Sequence, residues 1–108
     1  MIEPEDLEAV DRLYIEIIGS SKYYVTLRSR NTKHEWHLLE RISNGYRTIV
    51  ISHRHRSSEP FHLQRTRPTI AESCEYIKDH DVYYLEKIRK QKERRLRRLG
   101  LLAPRRGD

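Results

Sequence analysis

From Lys22 onward the apolar positions of the chain recur every second residue. The stretch "KYYVTLRSR" sends Tyr23, Val25 and Leu27 to one side and Tyr24, Thr26, Arg28 and Arg30 to the other, which is the period of a half-buried strand. "NTK" turns the chain, and "EWHLLERI" reads as a second strand. "SNG" at Ser43 to Gly45 then predicts a hairpin turn, because Asn-Gly adopts positive φ at little cost. "YRTIVISHRHR" gives a third strand rich in β-branched residues; after the loop "SSEP", "FHLQRTR" alternates again as a short fourth strand, suited to an edge.

Helical spacing flanks this strand-rich middle. In "EPEDLEAVDRLYIEIIGSS", Pro4 and the acidic residues suit a first turn, Leu7, Val10, Tyr14 and Ile17 recur at helical intervals, and Gly19 suits a stop. A helix over residues 1–20 is the expectation, although Leu13, Ile15 and Ile17 alternate and allow a short strand. "RPTIAES" announces a second helix, with Thr69 as cap and Glu72 placed to complete a capping box. Its inner stripe is Ile70, Cys74, Ile77, Tyr84 and Ile88. The segment "KDHD" is compatible with a break, Asp81 capping a further helix, or with one helix running through.

The pattern predicts an α+β fold: a small antiparallel sheet of three or four strands, an N-terminal helix and a long basic C-terminal helix. The chain divides into an acidic helix over 1–20, a core domain over 21–80 and a basic helical extension over 81–108. Val25, Leu27, Trp36, Leu38, Ile49 and Ile51 form the buried side of the sheet, packed on Ile70, Cys74 and Ile77. The order α-β-β-β-α resembles double-stranded-RNA-binding domains in topology, although those carry lysines at the start of the last helix, where this chain has "TIAES". The sheet-then-helix part is similar to the small arm-binding domains of some phage-type integrases, which lay a three-stranded sheet on DNA.

Composition narrows the class. At 108 residues, 36% hydrophobic and 35% charged, the chain has room for one domain with a modest core. The net charge of +6 is unevenly spread, at −5 over residues 1–20, +7 over 21–68 and +4 over 69–108. A basic body behind an acidic leading segment fits a binder of polyanions and excludes an acidic nucleic-acid mimic. Cys74 is the sole cysteine, so no internal disulfide forms. No apolar run approaches a membrane span, and the acidic start lacks the pattern of a signal peptide, so the expected setting is the cytoplasm, without membrane contact.

Two basic features carry the functional expectation. After Ile88 the second helix keeps only Leu96 as an aliphatic residue before Leu99, too little apolar face to lie on a core. It must project, carrying Lys87, Arg89, Lys90, Lys92, Arg94, Arg95, Arg97 and Arg98. Glu86 to Lys90 and Glu93 to Arg97 are favourable i,i+4 pairs, but two glutamates do not balance eight cations. The second feature is the outward face of the sheet, with Arg28, Arg30, Arg54 and Arg56, extended by Arg65 and Arg67, and with Tyr24 and Thr26 beside Arg28. Arginine suits bidentate contacts to phosphate or guanine, and solvated charge on a wet sheet face is the ordinary alternative.

Other chemistry has weaker support. His53 and His55 alternate onto one strand face while His34, His37, His62 and His80 are scattered, and the spacing asks for no zinc site. Cys74 reads as core. A metal-independent ribonuclease would need a set such as His53, His55, Arg54 and Tyr24, which the sequence supplies in number only. The expectation is a non-catalytic protein that binds DNA or RNA, without cofactor or metal, its helix contacting phosphates and its sheet arginines aiding selectivity. The alternative is a protein-interaction module, docking on a nucleoprotein complex or forming a homodimer through the acidic N-terminal helix.

Overall fold

The structure, a computed structural model, describes residues 1–101; the last seven positions of the predicted basic tail lie outside the described residues. Its elements follow the order α1 (Pro4–Glu8), β1 (Ile15–Ser20), β2 (Tyr24–Ser29), β3 (Glu35–Ser43), β4 (Tyr46–Arg54), β5 (His62–Arg67) and α2 (Ile70–Arg98). The five strands form one antiparallel sheet in sequence order. The fold is therefore α+β, with five strands rather than three or four, and the α-β-β-β-α order does not describe it.

The extra strand comes from the segment expected to continue the first helix. That helix stops at Glu8, and Asp11 ends any continuation: its side chain accepts from the Leu13 N–H at 3.1 Å, and its carbonyl accepts from the N–H groups of Tyr14 and Ile15. Such local side-chain bonding favours turns over helix. The β-branched run from Ile15 then pairs with β2, which would otherwise present a bare edge. Of the expected stripe Val10 is in the core and Leu7, Tyr14 and Ile17 pack against it, but the residue of this segment that is fully buried is Ile15, which lies off the helical stripe and on the strand. The acidic segment thus folds onto its own chain, where Asp6 pairs with Arg47 at 2.8 Å and Asp11 with Lys78 at 3.1 Å.

One face of the sheet and the first half of α2 enclose the core. Val25, Leu27, Trp36, Leu38, Ile49, Ile51, Ile70 and Ile77 are fully buried and Cys74 nearly so, each large aliphatic side chain contributing about 1.5 to 3 kcal/mol. The β3–β4 hairpin turns at Asn44 (φ 53°) and Gly45 (φ 78°), both in the left-handed region that this dipeptide tolerates.

Thr69 caps α2, its hydroxyl accepting from the Glu72 N–H at 3.1 Å. The helix runs unbroken through "KDHD". Asp81 caps nothing; it is buried and accepts hydrogen bonds from Tyr14 Oη and Thr32 Oγ1, each at 3.1 Å. Burial pushes its carboxyl upward against the pull of these bonds. Past Asp81 no side chain of α2 is fully buried, and Ile88, expected on the inner stripe, is 43% exposed. Twenty-nine residues make a rod of about 43 Å, and the molecule measures 57 × 26 × 26 Å with a radius of gyration of 17.5 Å. A compact domain of this size would have a radius near 13 Å, so α2 projects from the body. It ends at Gly100 (φ 72°), whose N–H bonds to the Arg97 carbonyl.

Candidate functional site

The helix covers one face of the sheet; no described helix packs on the other, where the loop after β4 reaches over one end through Ser57, Glu59 and Phe61. Cross-strand partners share a face, so the register defines the open one: Tyr24 opposite Leu39, Thr26 opposite His37, His37 opposite Ser52, Arg28 opposite Glu35 and Glu35 opposite Arg54. A row of rings crosses it. Tyr24 lies 4.8 Å from His37 between centroids, His37 lies 5.5 Å from Phe61, and the Arg54 guanidinium sits 4.1 Å over the Phe61 ring. Thr26 Oγ1 and His37 Nδ1 share a hydrogen bond of 3.2 Å, which sets the ring's orientation.

Glu35 organises the arginines of this face. Its carboxylate, 2% exposed, accepts from Arg28 Nη2 at 2.9 Å, Arg54 Nε at 2.8 Å and Ser57 Oγ at 2.6 Å. The Ser57 hydroxyl above all, then the two guanidiniums, hold this carboxyl at about 2 against the opposing effect of burial. Arg28 and Arg54 are thereby fixed beside the ring row, Arg54 Nη1 also donating to the Glu59 carbonyl at 3.3 Å and Arg28 Nη1 lying 3.7 Å from Glu16, while both side chains stay partly exposed.

The other sheet arginines separate. Arg30 follows β2 and donates from Nε to the Arg12 carbonyl at 3.0 Å; Arg56 is exposed in the loop after β4. Arg65 and Arg67, expected to extend the outer face, turn to the helix side. The register shift between Ile51 and Ser52 sets them opposite inward-facing Ile51 and Ile49, and both guanidiniums lie over the Tyr76 ring of α2, at 5.8 and 5.3 Å.

The projecting helix carries all eight predicted cations in one helical segment. Arg89 forms ion pairs with Glu86 and Glu93, and Arg97 lies 3.6 Å from Glu93; Glu86 thus pairs with Arg89 rather than with Lys90 as the spacing suggested. Two carboxylates among eight cations leave an excess of six positive charges along this segment. The helix leaves the body beside the β2–β3 turn and the end of β4, as the contacts of Asp81 with Thr32 and of Tyr84 with His34 and His55 show. Arg30, Arg54 and Arg56 belong to the same end of the sheet.

A second constellation lies under the helix, and sequence spacing gave it no weight. His34 and His53 are buried, and His34 Nδ1 and His53 Nε2 share a hydrogen bond of 3.0 Å. His55 stacks on His34 with centroids 4.1 Å apart, and one nitrogen from each of the three rings lies within 4.8 Å of the others. Trp36 packs on His53 at 4.1 Å, and Tyr84 meets His34 edge-on at 4.4 Å. Removal from water, then the neighbouring imidazoles, lowers His34 to about 4 and His53 to about 3, so both are neutral near pH 7. The missed signal was the hairpin register: Glu35 pairs with Arg54, so one step further sets His34 against His55.

The ribonuclease set does not converge, because His53 pairs with Trp36 on the inner face while Tyr24 and Arg54 belong to the outer one. Cys74 is 3% exposed and burial pushes its thiol up to about 11, the state of a core residue. No described helix is long and apolar enough to cross a membrane. Comparison with family models, curated proteins and solved structures finds no match to this chain.

Proposed function

We infer that this protein binds single-stranded nucleic acid without transforming it, bases stacking on the open sheet face and the projecting helix holding phosphates. The observation that carries this reading is the row Tyr24, His37 and Phe61 on the face without a helix, with Arg28 and Arg54 fixed beside it. Aromatic rings accept any base face to face, and guanidiniums next to them meet the phosphates that join successive bases. A duplex keeps its bases stacked internally and offers such a platform only its backbone. The excess positive charge of α2, leaving at the end of the sheet that holds Arg30 and Arg56, supplies sequence-independent attraction.

The protein-interaction reading has less support, because Leu7, Val10, Tyr14 and Ile17 of the acidic segment already pack within the chain. The test is a binding titration of labelled single-stranded DNA, single-stranded RNA and matched duplexes at two salt concentrations. Single strands are expected to bind more tightly than duplexes, and Tyr24→Ala and Phe61→Ala each to weaken binding by about 1 to 3 kcal/mol while remaining folded. Tighter duplex binding, or folded variants that bind as wild type, would overturn the stacking platform.

A further inference from the structure

The histidine cluster lies on the helix-covered face and takes no part in the proposed interface. Packing alone does not explain its composition. Two buried imidazoles point ring nitrogens at one another across 3.0 Å, a third is stacked alongside, and His80 stands 4.9 Å from His53 with Nδ1 buried and without a hydrogen-bond partner among the described residues. An aliphatic residue in place of His34 or His53 would remove a polar side chain from the core. Four imidazoles in one place therefore point to a shared ligand.

We propose that His34, His53 and His55 bind one divalent transition-metal ion of the zinc class, leaving a further coordination position for water or an incoming ligand. The geometry is close to what such an ion needs. Nitrogens each about 2.0 Å from a tetrahedral zinc lie about 3.3 Å apart, and the His34–His53 pair already stands at 3.0 Å. The third nitrogen, within 4.8 Å, belongs to His55, whose exposed side chain has room to turn and gives the ion access from solvent.

The protons balance without any further partner. In the hydrogen-bonded pair one ring holds its proton between the two nitrogens; on metal binding that ring carries the proton on its other nitrogen instead, and both facing lone pairs meet the cation. A donor set of three imidazoles, with no thiolate or carboxylate, favours zinc, copper, nickel or cobalt over magnesium and calcium. Trp36 against His53 and Tyr84 against His34 restrict the orientations of the two rings.

The site joins the start of β3 to the end of β4, directly beneath the point where α2 leaves the body. The test uses the full chain, stripped with chelator and titrated with Zn²⁺ by calorimetry at neutral pH, with Co²⁺ as a spectroscopic probe and Mg²⁺ as the control. One Zn²⁺ per chain is expected, with cobalt absorption of a low-coordinate nitrogen site and no response to Mg²⁺. His55→Ala removes an exposed side chain and leaves the buried pair intact, and it should weaken zinc at least tenfold. If zinc fails to bind the wild-type protein one to one, or if a folded His55→Ala binds it as tightly, the proposal is overturned and the imidazoles are packing elements.

Discussion

Replacing Glu35 with Gln preserves the side chain's shape and removes the charge on which Arg28, Arg54 and Ser57 converge. A carboxyl held at about 2 instead of 4.5 represents about 3 kcal/mol at neutral pH, at about 1.4 kcal/mol per pKa unit. The guanidiniums of Arg28 and Arg54 remain partly exposed and rehydrate when released, which lowers the expected destabilisation to roughly 2 kcal/mol. Because the folded-state value lies below the unfolded one, the unfolded chain binds more protons between the two. The contribution is complete above about pH 4.5 and disappears as pH falls through about 2. Urea unfolding of wild type and Glu35→Gln at a series of pH values should show a gap of roughly 2 kcal/mol at pH 7 that closes towards pH 2. The same substitution removes one negative charge beside the ring row and loosens the hold on Arg28 and Arg54, so single strands should bind more tightly, by on the order of tenfold for one added charge-assisted hydrogen bond. Equal stability of the two proteins at pH 7, or a gap that stays constant down to pH 2, would refute the Glu35 argument.

Glutamine at Lys87, Lys90, Lys92, Arg94, Arg95 and Arg98 should keep α2 helical and flatten the plot of log affinity against log salt by about 0.7 for each phosphate of a single strand that is no longer neutralised. An unchanged slope would make the helix a solvated or protein-docking element. Cys74 should resist a thiol reagent in the native protein and react on unfolding, since it is buried with its thiol pushed up to about 11; rapid native labelling would contradict the core placement. Ile51→Ala should cost about 2 to 5 kcal/mol in urea unfolding, because the side chain is fully enclosed between sheet and helix. Thr69→Ala should cost only about 1 kcal/mol by removing the cap.

Local pattern determined a large part of this molecule. The alternation in "KYYVTLRSR", "EWHLLERI" and "YRTIVISH" set the strands and, except at Tyr23, which precedes β2 and is exposed, their buried side; the Asn44–Gly45 dipeptide set the hairpin, Thr69 set the start of α2, and the scarcity of apolar residues after Ile88 set its projection. Each of these depends on neighbours within a few positions, which is the range over which backbone preference and side-chain period act. Pairing between distant segments decided the rest. Residues from Ile15 became a strand because β2 offered an edge, overriding a helical spacing that was equally present in the sequence. A register shift in the β4–β5 pair moved Arg65 and Arg67 to the inner face, since one extra residue reverses every side chain beyond it. Glu35 became the anchor of two arginines, and Asp81 a buried acceptor, through partners that lie on other elements. The histidine cluster is the extreme case: His53 and His55 share a face by local period, but only the β3–β4 register brings His34 onto them, and only the tertiary packing buries His34 and His53 while His55 stays exposed.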